Sequence, residues 1–296
     1  MEQFRNIGII GRMGSARVLE TIRRLKRYLL GRHLHVILED TIAEMLPGHN
    51  LQTSSRKLLG EVCDLVIVVG GDGSMLGAAR ALAQYDTPVL GINRGSLGFL
   101  TDILPEQLEL QISEVLAGNY TVEQRFLLET AVRREGSTIG QGDALNDVVL
   151  HPGKSTRMIE FELFIDGQFV YSLKADGLII ATPTGSTAYA LSAGGPIMHP
   201  RLDALVIVPM YPHTLSSRPI VVDADSELKV VVSEDMRIYP LVSFDGQNHV
   251  NCAPGDTLHI QRKPQKLRLI HPLDHNFYGV CRDKLGWGSR LGQDAK

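Results

Sequence analysis

The chain has 296 residues, room for one large domain or two of ordinary size. It is 44% hydrophobic and 21% charged, a balance that supports a buried core. A formal net charge of −3 argues against an extended nucleic-acid surface, which calls for a basic excess.

The first 120 residues alternate strand and helix patterns. Asn6–Ile10 reads as a strand, Ala16–Leu30 as a helix with Val18, Leu19, Ile22, Leu25 and Leu29 on one stripe, and His35–Leu38 as a short strand. The apolar run Leu65–Val69 reads as a buried strand, Ser74–Tyr85 as a helix, Pro88–Ile92 as a fourth strand and Pro105–Ala117 as a helix. Strands separated by helices imply a parallel, helix-covered sheet, whose ligands sit at the carboxyl ends of its strands. From about Tyr120 short strand patterns succeed one another: Glu129–Arg134, Ala144–His151, Glu160–Ile165, Gln168–Ala175 and Gly177–Thr182. Asp166-Gly167 is a hairpin signal between two of them. Ala204–Val208, Glu227–Ser233, Leu241–Phe244 and Thr257–Arg262 extend the series. The expected architecture is an α/β domain with a parallel sheet over residues 1–120, a β-rich layered sheet or sandwich over 121–270 with the active site in the cleft between them, and a segment 271–296 that returns to the first domain.

Cys63, Cys252 and Cys281 are scattered and odd in number, so neither a disulfide framework nor a zinc site is expected, and no metal-ligand cluster is visible. The N-terminal residues lack the apolar run of a leader, and no stretch of about 18 apolar residues occurs. A cytoplasmic protein with no nucleic-acid or membrane partner is the expectation.

Gly70-Gly71-Asp72-Gly73-Ser74 directly follows the third strand. Its glycines let backbone N–H groups approach a phosphate, and the following helix adds its dipole. A lone carboxylate would repel phosphate, so Asp72 must serve otherwise, by holding a hydroxyl, taking its proton or sharing a cation. Gly8-Ile9-Ile10-Gly11 fails the dinucleotide fingerprint because Ile9 stands where glycine is required. Gly153-Lys154-Ser155 fails as a Walker A loop because Val148 stands at the first glycine position. A second glycine loop, Asn93–Leu100, follows the fourth strand; its Phe99 fits base stacking and core packing equally. Asn146-Asp147 sits among apolar residues, either gripping ribose hydroxyls or marking a bulge. Lys174 and Asp176 are read on one face of a strand, and the Thr182–Tyr189 run of small polar residues as a phosphate or ribose loop at a helix start. Ser243–Gln247 reads as a hairpin turn, and His213 as a structural histidine. No Ser-His-Asp order or HExxH pattern supports a hydrolase.

Together, over residues 64–250, these motifs resemble the NAD kinase family, which phosphorylates NAD to NADP, and are closest to its proteobacterial form. Gly70–Ser74 matches the family's GGDG-T/S loop, Gly95–Leu100 its second glycine loop, Asn146-Asp147 its Asn-Glu/Asp pair, Asp176–Tyr189 its DGLI-x-ATPTGSTAY stretch and Tyr211–Pro219 its x-PHTL-x-x-RP segment. Ser74 replaces the commoner Thr, and Asp147 the commoner Glu, a shorter reach by one methylene. The resemblance implies that Asp72 is the general base for the 2′-hydroxyl of the adenosine ribose, with ATP as donor and Mg²⁺ arriving with it. It implies binding roles for Asp72, Gly73, Phe99 (against adenine), Asn146, Asp147, Arg157, Lys174, Asp176 (at the nicotinamide end), Thr187, Ala188, Tyr189, Ser192 and Gln247, and no protein metal ligand. It also implies NADP and ADP as products, a homo-oligomer (dimer or tetramer), and a link between the basic Lys174 and preference for NAD over NADH. Alternatives are a diacylglycerol- or sphingosine-type lipid kinase, which shares the GGDG loop, and a non-catalytic NAD(P) sensor.

Overall fold

The computed structural model describes residues 4–95 and 98–287; Ser96 and Leu97 of the second glycine loop, and residues 288–296 of the C-terminal segment, lie outside the described residues. The chain divides into two compact units, Met1–Gln124 with Leu267–Lys296, and Arg125–Lys266.

The first unit opens with β1 (Asn6–Gly11) and α1 (Ala16–Gly31). Ser15 caps α1 by accepting the Val18 N–H, and Val18, Ile22, Leu25 and Leu29 form its buried stripe. There follow β2 (His35–Glu39), the single turn α2 (Asp40–Ala43), β3 (Gln52–Ser54), α3 (Arg56–Val62) and β4 (Leu65–Gly70). Then come α4 (Asp72–Leu82), β5 (Val89–Asn93), α5 (Leu108–Leu116) and the start of the long strand β6 (Tyr120–Arg134). Strands β5, β4, β1, β2 and β3 lie side by side in that order, every pair parallel. β4 has all six residues buried, as expected of a strand covered on both faces. β3 and α3 carry little sequence signal: two of the three β3 residues are exposed, and α3 buries only Leu59 and Gly60.

The second unit is antiparallel. β6 turns at Glu135-Gly136 into β7 (Ser137–Ala144), and β8 (Asp147–His151) comes after it. Next are β9 (Ile159–Ile165), β10 (Gln168–Ala175), β11 (Gly177–Ala181), the one-turn helix α6 (Tyr189–Ser192) and β12 (Ala204–Met210). The series closes with β13 (Ile220–Asp223), β14 (Leu228–Val232), β15 (Leu241–Phe244), β16 (Asn248–Asn251) and β17 (Thr257–Pro272), and α7 (Phe277–Leu285) belongs to the first unit. The last residues of β17 return to the first unit, where Leu269 and Ile270 pair in parallel with Val89 and Leu90 of β5.

One sheet of the second unit runs β13-β12-β11-β8-β15-β16, and β10, β9, β14 and β17 form another antiparallel array. Side chains of both, including Val148, Leu150, Phe161, Leu163, Ile180, Val230, Phe244 and Leu258, make one core. Val149, Ile179, Val206 and Val208 face the other way, against Ala190 and Met198, so the central strands are apolar throughout. The hairpins at Asp166-Gly167 and Asp245-Gly246 have positive φ at both turn residues (50° and 76°, 52° and 63°), the geometry that matches strand twist.

Leu25 is fully buried in the core of the first unit. Leu25→Ala is expected to lower the unfolding free energy by about 2–5 kcal/mol in urea denaturation; a loss under about 1 kcal/mol would contradict the packing of α1.

Candidate active site

In the first unit β4 ends at Gly70, Gly71 is the N-cap, and α4 starts at Asp72, two residues earlier than the sequence pattern indicates. Asp72 is therefore the first helical residue, where the dipole favours a negative charge. Its carboxylate faces the loop after β5. Oδ2 accepts the Phe99 N–H at 2.9 Å and Oδ1 accepts the Leu100 N–H at 3.1 Å, with Thr101 Oγ1 3.5 Å from Oδ1. A side chain at Gly98 would overlap the Asp72 carboxylate, so the loop needs glycine there. Fully buried Asn93 organises the same loop, donating from Nδ2 to Thr101 Oγ1 at 3.0 Å and accepting the Gly95 N–H at 2.6 Å. The Arg94 N–H donates to the Gly70 carbonyl at 2.9 Å and ties the two glycine loops together. A carboxylate offers about four acceptor positions, and the two amides leave room for a further donor. Gly73 is exposed on the first turn of α4. The half-buried Phe99 ring lies 6.5 Å from Phe277 of α7, and Lys284 Nζ is 5.9 Å from its centroid.

In the second unit a cavity of about 480 Å³ gathers Asn146, Asp147, Asp176, Ala188 and Tyr189 with Asp245. Asn146-Asp147 does not sit inside a continuous strand. The chain leaves β7 at Ala144 and enters β8 at Asp147, and Leu145-Asn146 forms the break. Asp176 likewise separates β10 from β11 rather than sharing a strand face with Lys174, and its N–H donates to the Met210 carbonyl at 2.8 Å. Polar residues thus stand where the chain passes between sheets.

The Thr182–Thr187 hydroxyls mostly turn inward instead of lining a phosphate loop. Thr182 Oγ1 donates to the Leu145 carbonyl at 2.6 Å, Ser186 Oγ donates to the Pro183 carbonyl at 2.6 Å and accepts the Met198 N–H, and Thr187 Oγ1 donates to the Thr184 carbonyl at 3.3 Å. A side chain at Gly185 would strike the Asn146 backbone, so this glycine permits the close approach. The helix beyond Ala188 is a single turn, too short for the helix-start anion site read from the sequence.

Asp245 has a role that its turn sequence does not announce. Its carboxylate accepts the N–H groups of Asn146 (2.8 Å), Leu145 (3.2 Å) and Asp147 (3.3 Å), and its own N–H returns to the Asp147 carbonyl at 3.0 Å. Only the Asp-Gly turn signal marks it in sequence, and its partners lie about a hundred positions earlier. Asp147 is 5% exposed, and burial, with the Asp245 charge beside it, pushes its carboxyl up to about 7.

Not all expected residues meet. Ser192 lines a separate cavity of about 380 Å³ with Tyr211 and Arg218. Lys174 is exposed and its Nζ lies 3.1 Å from Glu160. Arg157 and Gln247 are exposed on their loops, and Thr187 lies beside Ala188 without lining the cavity.

Two family models match the chain: the ATP-NAD kinase N-terminal domain over residues 7–120 and the ATP-NAD kinase C-terminal domain over residues 145–272. The chain belongs to the NAD kinase family. It is 82% identical over 292 residues to the NAD kinase of Ectopseudomonas mendocina (strain ymp), covering 99% of each chain. It is 80% identical over the same length to the NAD kinase of Pseudomonas syringae pv. syringae (strain B728a), again covering 99% of each. Among solved structures, yeast NADH kinase complexed with NADH matches with a TM-score of 0.90 at 26% identity, covering 98% of this chain and 91% of that one. An NAD kinase from Archaeoglobus fulgidus in complex with ATP matches with a TM-score of 0.72 at 25% identity, covering 94% and 99%. These findings favour neither a lipid kinase nor a non-catalytic sensor, and the α/β and antiparallel units are those of NAD kinases.

Between pH values of 3.8 and about 7 the folded chain holds a proton on Asp147 that the unfolded chain has released. Stability therefore falls as pH rises through that window and levels off above it. Asp147→Asn removes this dependence: its stability relative to wild type is expected to climb across the window by at most about 1.4 kcal/mol per pH unit. Urea unfolding from about pH 4 to about pH 8 reads it, and a constant difference would contradict a proton held at Asp147.

Proposed function

We propose that the chain transfers the γ-phosphoryl group of ATP to the 2′-hydroxyl of the adenosine ribose of NAD, releasing NADP and ADP. Its membership of the NAD kinase family makes it a phosphotransferase, and the observation that carries the finer reading is the Asp72 carboxylate, pinned at the head of α4 by two backbone amides. Asp72 orients the 2′-hydroxyl in line and accepts its proton. The new bond joins that oxygen to the γ-phosphorus, and the bond to the β-bridging oxygen breaks as ADP leaves. The transition state is loose, so positioning and neutralisation carry most of the catalysis. The N-terminal end of α4 turns the positive end of its dipole toward phosphate.

Asn146 and Asp147 hold the adenosine side of NAD, and Asp176 the nicotinamide end. Ala188 and Tyr189 line the dinucleotide site with them, Phe99 packs on adenine, and Thr187, Ser192, Arg157, Lys174 and Gln247, which stand outside that cavity, belong to the same reading only as residues the bound dinucleotide reaches beyond it. Mg²⁺ supplies charge neutralisation on the triphosphate and enters as part of the ATP complex. Among the described residues the group of three potential ligands is Asp102, His271 and His275, an imidazole-rich set that does not fit a hard cation seeking oxygen. A cytoplasmic homo-oligomer is part of the same reading; no described helix is long and apolar enough to cross a membrane.

Incubation with Mg-ATP and NAD is expected to yield NADP, and Asp72→Asn to lower kcat by at least about 10²-fold while NAD still binds. Wild-type rates in that variant would remove the base. The family resemblance links a basic residue at position 174 with preference for NAD over NADH, so kcat/KM is expected to favour NAD, and Lys174→Ala to narrow the gap; equal values in the unaltered chain would overturn this role.

A further inference from the structure

A cluster that the reaction does not use directly lies just beyond the loop that holds Asp72. The donors to Asp72 are the N–H groups of Phe99 and Leu100, and Asp102 stands two positions later. Its carboxylate is nearly buried and receives two histidines from the end of β17 and the turn after it. His271 Nδ1 is hydrogen-bonded to Oδ2, and His275 Nδ1 lies 3.2 Å from Oδ1. The two imidazoles stack with centroids 3.9 Å apart at 24°, and the fully buried His271 has its Nε2 3.6 Å from Glu123. Burial alone would raise the Asp102 carboxyl; the contacts and charge of both histidines outweigh it and bring the group down to about 2. The same returning segment also holds the front of the loop, where Phe99 packs on Phe277. Ile103 closes the far side, accepting the Asn93 N–H at 2.8 Å and donating to the Gly91 carbonyl at 3.3 Å.

Packing alone does not call for this arrangement. An apolar group at position 102 would fill the space without desolvating a charge. What an ionised, doubly contacted carboxylate adds is direction: it fixes the backbone next to the two amides that aim Asp72. We propose that the Asp102–His271–His275 cluster is a positioning device for Asp72, a set of positioning residues that act on phosphoryl transfer through the Phe99–Thr101 backbone. The inference rests on Asp72 being the base. A metal centre is the weaker reading of the same residues, because His271 Nδ1 is already hydrogen-bonded to Asp102.

The test compares Asp102→Asn, His271→Gln, His271→Asn and Asp72→Asn in the full-length protein. NAD titration gives Kd and the number of binding-competent sites, so kcat is expressed per site and unfolded protein drops out. Asp102→Asn and His271→Gln are expected to lose about 10- to 100-fold in kcat per site, with KM for NAD and Mg-ATP and the Kd for NAD changed less than about threefold. His271→Asn, whose amide N–H stands near the former Nδ1, is expected to recover most of that loss. Wild-type kcat per site in both Asp102→Asn and His271→Gln, equal damage in the two His271 variants, or stoichiometric zinc whose removal reproduces the Asp102→Asn defect would overturn the proposal. An inactive Asp72→Asn beside an undamaged Asp102→Asn refutes the positioning role alone. An active Asp72→Asn refutes the base, and the positioning role falls with it.

Discussion

Two backbone N–H groups donating to one carboxylate organise the first unit around its chemistry. A carboxylate at the first position of α4 gains from the helix dipole, yet in a glycine-rich loop it would otherwise be free to swing. Hydrogen bonds from Phe99 and Leu100 remove that freedom, and they also join the loop after β5 to the helix after β4. Several other features depend on them. Gly98 has no room for a side chain, Asn93 is buried to hold the loop's shape, and the Arg94 N–H closes on Gly70. Together they fix the loop whose amides orient Asp72.

The second unit solves a different problem with similar means. Its central strands are apolar on both faces, which leaves no place for polar ligand-binding groups inside the sheets. The polar residues appear at the interruptions: Asn146 and Asp147 where β7 gives way to β8, Asp176 between β10 and β11, and Asp245 at the tip of a hairpin. Asp245 satisfies three N–H groups of the first interruption, so the break is fully hydrogen-bonded. Burial, reinforced by the negative charge that Asp245 places beside it, raises the Asp147 carboxyl.

The sequence was most legible where one local pattern decides the outcome. The buried run before Gly70, the stripe of α1 and the Asp166-Gly167 turn all appear where their patterns place them. It was less legible where neighbours mislead. Leu145 and Val148 make Asn146-Asp147 look like strand interior, although the chain changes sheets there. The hydroxyls of Thr182 and Ser186 look like ligand donors, yet backbone carbonyls take them. Least legible were partnerships across the chain: Asp102 meets His271 over 169 positions, and no local spacing announces it. The polar edge strand β3 and the largely exposed start of β6, Tyr120–Gln124, carry no readable period because neither buries enough apolar surface to show one.

The most direct measurement is a crystal structure of the protein with NAD and a non-hydrolysable ATP analogue, read at the 2′-hydroxyl of the adenosine ribose. If Asp72 is the base, one of its carboxylate oxygens stands about 2.6–3.2 Å from that hydroxyl while the Phe99 and Leu100 amides still hold the group. A ribose seated several ångströms away, with Asp72 bonded only to its own loop, would contradict the role assigned to it.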